Sequence, residues 1–182
     1  MKESLVHKML EEIGDNPDRI GLKDTPQRVH RMWKDFFTYG QDPPVITCFP
    51  NNEDGVVSGG LLLDRGYFYS YCEHHLLPFF GQYFYGYIPD RLVMGASKIA
   101  RTIDYYSGRL QVAERLCRQV VDRIQERANP QGQILLMSGR HLCKEMRGVK
   151  KYNSTFEVIE ARGIILSNKA GCKDEFLARC QI

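Results

Sequence analysis

Two short motifs of cysteine and histidine lie far apart in this chain, and one metal ion could bind both only in a fold that brings them together. Cys72 and His75 form a Cys-x-x-His motif, and His141 and Cys143 form a His-x-Cys motif. Thiolate and imidazole are ligands that Zn²⁺ prefers, and three ligands (Cys72, His75 and Cys143) leave a fourth position for water. Because zinc activates such a water at neutral pH, the pattern indicates a hydrolase.

The local spacing predicts how these side chains meet. His141 and Cys143 are two residues apart in the segment 134–143, which has the pattern of a strand, so both are expected on one face. His141 would then stand beside the metal as an acid or base. Cys72 and His75 require a bend, which Pro78 favours. The alternative interpretation has no metal and consists of buried thiols and hydrogen-bonded core histidines.

Composition narrows the class of protein. A chain of 182 residues fits a single domain, and a net charge of +3, from 25 basic and 22 acidic residues, is too small to indicate nucleic-acid binding. No long apolar run predicts a membrane span, and the N-terminus lacks the apolar core of a secretion signal. Six cysteines in a chain without such a signal are expected as thiols or metal ligands. The cytoplasm is therefore the expected compartment.

Hydrophobic periodicity predicts blocks of helices and strands. Helices are expected at 5–13, at 25–40 with Thr25 as N-cap, and at 97–107, 109–128 and 174–180. Strands are expected at 56–63, 67–71, 79–88, 134–143 and 155–166. This order predicts an α+β fold with a largely antiparallel sheet. We expect an N-terminal helical segment at 1–44 and the catalytic part of one overall domain at 45–182.

Basic residues recur in short groups that suit an anionic ligand. Lys98 and Arg101 are three apart at the start of a predicted helix, where the free amides also favour anions. The other members are Arg28, Arg31 and Arg147. Several cations near an open zinc site would fit a polyphosphate, whereas unrelated surface charges are the alternative for any single pair. Glu114 could bind the edge of a purine or form a surface ion pair.

The chain resembles the GTP cyclohydrolase I family over about residues 5–178. The motifs are CEHHLLPF at 72–79, GASKIAR at 95–101, QVAERL at 111–116, HLCKEMRG at 141–148, DTPQRV at 24–29 and EFL at 175–177. The resemblance implies the tunnelling fold, with an antiparallel sheet, packed helices and an N-terminal helical segment. It also implies a toroidal homodecamer of two stacked pentameric rings, with active sites at subunit interfaces.

The resemblance assigns roles to individual residues. Cys72, His75 and Cys143 would bind Zn²⁺, and His141 would protonate N7 of guanine while the activated water attacks C8. His74 would orient the ribose or base, and Glu114 would hold N1 and N2 of the base with help from the main chain near Ser97. The triphosphate would be held by Arg28, Arg31, Lys98, Arg101 and Arg147. The implied products are formate and 7,8-dihydroneopterin triphosphate.

Two departures from the family pattern concern the base pocket. Family members usually carry Gln where this chain has Ala113, and Leu where it has Ala96. The 154–159 segment also lacks the threonine-rich pattern of the family. These changes leave open an enzyme of the same fold and zinc chemistry that acts on another purine nucleotide, or one that stops at a ring-opened product. A nitrile-reductase relative fits less well, because the chain keeps all three zinc ligands and His141. A non-catalytic zinc-stabilised oligomer is the alternative from another class.

Overall fold

A computed structural model gives the structure of the chain and describes residues 3–52 and 59–180. The chain divides into two compact units, Met1–Gly40 and Gln41–Ile182. Within the described ranges, no helix combines the length and the apolar character needed to cross a membrane.

The N-terminal unit contains two helices, α1 (Glu3–Glu12) and α2 (Thr25–Phe36). Gly14 follows α1 with a φ of 87°, a left-handed conformation that favours glycine after a helix. The N-cap of α2 is Asp24 and not Thr25 as predicted, and Pro26 lies in the first turn. The helix ends at Phe36 instead of residue 40, because the main chain is extended at Phe37.

The second unit carries a five-stranded sheet and its helices. Its elements are β1 (Cys48–Pro50), β2 (Leu62–Cys72), β3 (Pro78–Ile88), β4 (Leu92–Met94), α3 (Ser97–Ser107), β5 (Leu110–Gln111), α4 (Ala113–Ala128), β6 (Gly132–His141), α5 (Leu142–Glu145), β7 (Thr155–Arg162), α6 (Gly163–Leu166), a 3₁₀ turn (Lys169–Gly171) and α7 (Cys172–Arg179). The sheet order is β5-β2-β3-β6-β7, antiparallel except for the parallel β2–β5 pair. β1 and β4 form a separate two-stranded sheet.

Neighbouring side chains of the central strands point to opposite faces of the sheet, and each face has its own hydrophobic core. On β3, Tyr83 and Tyr85 belong to the core that includes the apolar side of α4, whereas Phe84 belongs to the core that includes α7. On β6, Leu135 and Leu136 are divided in the same way. A strand with both faces buried loses the simple apolar–polar alternation but keeps its β-branched and aromatic character.

Several predicted elements differ from the structure at their ends. The strands predicted at 56–63 and 67–71 correspond to one strand, β2 (Leu62–Cys72), because residues 62–71 pair without a break with β3. The strand predicted at 134–143 stops at His141 and is followed by α5. The helix predicted at 109–128 begins only at Ala113, because residues 110–111 pair with β2. The strand predicted at 155–166 ends at Arg162 and turns into α6 at Gly163, whose φ is 61°. Of the strand predicted at 56–63, residues 56–58 lie outside the described residues.

We predict that Gly81→Ala destabilises the sheet. A Cβ at Gly81 would lie against the main-chain carbonyl oxygen of Ser138 and 2.7 Å from Cα of Gly139, so β3 and β6 would have to separate. Such overpacking lowers the free energy of unfolding by about 3 kcal/mol, measured by urea denaturation. Gly60→Ala is the control, because its Cβ would meet nothing within 4 Å. Equal unfolding midpoints for the two variants would contradict this prediction.

Candidate metal centre and its cavity

The structure brings Cys72, His75 and Cys143 together. One potential ligand atom from each lies within 4.8 Å of the other two. Cys72 is buried, Cys143 is half-buried and His75 is exposed, so the group opens to one side. Two thiols and one imidazole are a donor set that suits zinc, and three ligands leave a coordination position for a small molecule. The residues present therefore fit a metal ion of this kind.

A tight turn at the end of β2 carries the first two ligands. The amide of Leu76 donates to the carbonyl of Cys72 at 2.9 Å, and the amide of Cys72 donates to the carbonyl of Leu77 at 2.9 Å. Leu76 has a φ of 55°, an uncommon left-handed conformation for a leucine. These bonds fold the main chain back and bring His75 towards Cys72.

An ion pair holds the same turn against α4. Arg115 donates from both terminal nitrogens to the carboxylate of Glu73, at 2.6 and 2.8 Å. Arg115 also holds the pKa of Glu73 below its usual range through these hydrogen bonds. Because Glu73 lies between the two ligands, its orientation affects both of them.

Cys143 lies on α5 and not on a strand, which corrects the prediction from spacing. His141 is the last residue of β6, and Cys143 follows within the single turn of α5. The proximity of His141 and Cys143 therefore comes from a bend after the strand. Burial and the neighbouring Cys72 thiol raise the pKa of Cys143, so a metal ion must displace a proton there.

His141 lies between two aromatic rings. Its imidazole stacks on Phe79 at a centroid distance of 4.7 Å and an interplanar angle of 11°. Phe156 meets it edge-on at 5.6 Å. Burial lowers the pKa of His141, while the charge of Glu114 acts in the opposite direction. Burial therefore favours the neutral imidazole, which is the form that accepts a proton.

A cavity of about 270 Å³ opens beside these groups. Its lining residues are Cys72, His74, Phe79, Gln111, Val112, Ala113, Glu114, His141, Cys143, Lys144 and Phe156. Five lining residues were not predicted as site residues: Phe79, Gln111, Val112, Lys144 and Phe156. Phe156 comes from β7, where it pairs with Gly139 of β6, so only the register of the sheet reveals its position. The HLCKEMRG motif contains Lys144 and was the available signal for it.

The cavity joins several predicted residues but not all of them. His74, Glu114 and His141 line it together with the two cysteines. The described residues that line it do not include Ser97, Lys98 or Arg101, which lie on α3.

The remaining predicted cations have partners of their own. Arg147 contacts Nε2 of His75 through its guanidinium. In the N-terminal unit, Arg28 pairs with Asp24 at 3.3 Å, and Arg31 donates to Gln27 at 2.9 Å.

The wall of the cavity contains one buried acceptor without a partner among the described residues. Gln111 is 1% exposed and donates to Tyr106 and Gln119, at 3.0 and 2.7 Å, but its Oε1 accepts no hydrogen bond. Buried polar atoms are usually paired, so this oxygen is suited to accept from a ligand or a water. Ala113, two residues further on, is buried in the same wall.

Comparison with known proteins identifies relatives along the whole chain. The family model described as GTP cyclohydrolase I matches residues 2–181. A GTP cyclohydrolase 1 of Wolinella succinogenes is 39% identical over 96% of this chain and 93% of its own length. The GTP cyclohydrolase 1 of Deinococcus radiodurans is 39% identical over 98% of this chain and 82% of its own length. The GTP cyclohydrolase 1 of Campylobacter jejuni subsp. doylei is 41% identical over 97% of this chain and 92% of its own length.

We predict that Cys143→Ala abolishes binding of one Co²⁺ ion per chain. The wild-type protein is expected to give a thiolate-to-cobalt charge-transfer band, because Cys72 and Cys143 both supply thiolates. The affinity should rise with pH below the thiol pKa, by up to about tenfold per unit for each proton released. Cys48→Ala is the control, since Cys48 is also half-buried but lies outside the group. An unchanged band in Cys143→Ala would exclude this site.

Proposed function

Because the chain belongs to the GTP cyclohydrolase I family of hydrolases, we propose that it hydrolyses GTP at C8 of guanine with the help of zinc. Formate leaves, the ribose rearranges and a new ring closes to give 7,8-dihydroneopterin triphosphate. The observation that carries this proposal is the convergence of Cys72, His75 and Cys143 beside the imidazole of His141.

We assign zinc to the three ligands because of their chemistry. Two thiolates and one imidazole favour Zn²⁺ over the hard cations Mg²⁺ and Ca²⁺. A zinc ion bound there would supply a Lewis acid and an activated water at neutral pH.

His141 is the proposed acid and base. Its neutral imidazole accepts a proton from the attacking water and passes it to N7 of guanine, so that OH is added at C8 and H at N7. The stacked ring of Phe79 restricts rotation of the imidazole, and the burial that lowers its pKa keeps it in the accepting form.

Base recognition is assigned to the mouth of the same cavity. The carboxylate of Glu114 would accept hydrogen bonds from N1 and N2 of guanine, and His74 would orient the ribose or base. The main chain near Ser97 would complete the contacts to the base. An oxygen-only set of acceptors favours guanine over adenine, whose N1 carries no hydrogen.

The triphosphate is assigned to Arg28, Arg31, Lys98, Arg101 and Arg147. We propose that the chain is a tunnelling-fold subunit of a homodecamer, with residues 45–182 as the catalytic domain, residues 1–44 as the helical segment and active sites shared between subunits. Lys98 and Arg101, which do not line the cavity of their own chain, could then serve the site of a neighbour. Six free thiols are compatible with the reducing cytoplasm.

The test of this function is a turnover assay on zinc-loaded protein. GTP, dGTP, ATP and ITP are offered in parallel, and formate and the organic products are identified by mass spectrometry. Formate and dihydroneopterin triphosphate from GTP support the proposal. Consumption of another purine nucleotide instead, or accumulation of a ring-opened product, would favour the alternative suggested by Ala113.

We predict that His141→Ala loses turnover without losing metal. General acid–base catalysis contributes about 10²- to 10⁴-fold, so kcat for GTP should fall by that factor. The zinc content per chain and the thermal unfolding midpoint should stay close to wild type, because His141 is not in the ligand group. Formate release at the wild-type rate by the metal-loaded variant would remove His141 from the mechanism.

We predict that Glu114→Gln penalises GTP more than ITP. GTP offers hydrogens at N1 and N2, whereas ITP lacks the N2 amino group. The substitution therefore removes two contacts to GTP but only one contact to ITP. Loss of hydrogen bonds to a charged group should lower kcat/KM for GTP by roughly tenfold to a hundredfold. Glu126→Gln, an exposed change on the same helix, is the control. Equal losses for both nucleotides would restrict the contact of Glu114 to N1, and unchanged kcat/KM for both would place Glu114 outside base recognition.

A further inference from the structure

A two-pronged ion pair spans the bend between β6 and α5. Arg140 donates from Nε to one carboxylate oxygen of Glu145 at 2.8 Å and from Nη2 to the other at 2.6 Å. The Glu145 side chain is only 4% exposed, so water competes little for it. Two parallel hydrogen bonds fix the orientation of both groups as well as their distance. We call this pair the Arg140–Glu145 clamp.

The clamp also contacts the segment that leads into β7. The main-chain amide of Asn153 donates to the carboxylate of Glu145 at 3.2 Å. The guanidinium of Arg140 lies 5.9 Å from the ring centre of Phe80 and 5.7 Å from that of Tyr152. The clamp therefore connects the end of β6, the turn of α5 and the return to β7.

The clamp encloses residues that line the candidate cavity. Between Arg140 and Glu145 lie His141, Leu142, Cys143 and Lys144, and three of these four line the cavity. The turn of α5 has four residues, and the amide of Met146 closes it by donating to Leu142 at 3.0 Å. A helix this short has little stability of its own, so its position depends on tertiary contacts.

We propose that Arg140 and Glu145 are positioning residues that set the place of the Cys143 thiol relative to His141. This inference rests on the proposed function only for its kinetic readout, since the place of the thiol is measurable by metal binding alone. Without the clamp, α5 keeps the hydrogen bond from the amide of Lys151 to the carbonyl of Lys144 at 3.2 Å but loses the two bonds that orient it, so Cys143 would sample several positions.

The alternative role is stabilisation without any effect on the site, and the chain offers a matched control for it. Arg162 donates to Glu160 at 2.7 Å and to Asp122 at 3.0 Å. Its side chain is 32% exposed, close to the 34% of Arg140. None of these control residues lines the cavity. Arg162→Met thus removes a comparable ion pair elsewhere on the sheet.

The test compares Arg140→Met with Arg162→Met in the full chain. For Arg140→Met, we expect Co²⁺ affinity to fall roughly ten- to hundredfold, as on loss of partners that orient metal ligands. The intensity or position of the thiolate-to-cobalt band should change, and kcat for GTP should fall more than KM rises. Arg162→Met should leave the affinity, the band and kcat at wild-type values, whatever its effect on the unfolding midpoint.

A graded variant covers the case in which Arg140→Met folds poorly. Arg140→Lys keeps the charge but lacks the planar fork, so we expect an intermediate Co²⁺ affinity and a partial return of the band. If both Arg140 variants bind Co²⁺ with wild-type affinity and spectrum, the inference is wrong, even when their unfolding midpoints fall. If wild-type protein gives the band but does not turn over GTP, the proposed function fails while the cobalt comparison still decides the role of the clamp.

Discussion

The antiparallel pairing of β2, β3 and β6 is the constraint on which the site depends. The register sets Tyr71 opposite Pro78 and Phe79 opposite His141. One end of the sheet consequently contains the end of β2, the start of β3 and the end of β6. Residues separated by more than a third of the chain become neighbours there because hydrogen bonds along three long strands fix them. A slip of one residue would turn His141 to the other face and away from Phe79.

The sequence predicted which side chains converge at the candidate metal centre better than it predicted the main chain that carries them. A metal site needs few residue types at short spacings, so Cys72, His75 and Cys143 could be selected before their geometry was known. The bend after His141 left no such signal, because the apolar pattern continues through Leu142. Glu145 contacts Arg140 and Asn153 at this bend, and such tertiary contacts are not visible in periodicity.

The two helices α3 and α4 show where periodicity is sufficient and where it is not. The bounds of α3, at residues 97–107, were predicted correctly, since periodicity alone marks an amphipathic helix of that length. The segment just before α4 was predicted as helix, but Leu110 and Gln111 pair with the end of β2 instead. Long-range pairing overrides local propensity where a strand edge is available. The same pairing places Gln111 in the cavity wall and fixes where Glu114 emerges.

Each of the two ligand-bearing segments has an arginine–glutamate pair beside it. Arg115 holds Glu73 in the turn of Cys72 and His75, and Arg140 holds Glu145 after Cys143. The second pair is the more buried of the two. Metal binding to a loose site would have to order these segments, which costs conformational entropy. Segments that ion pairs already hold lose less conformational entropy when a metal ion binds. The two arginine–glutamate pairs therefore favour a preformed site, in which the metal affinity depends on the ligands and not on folding of the turns.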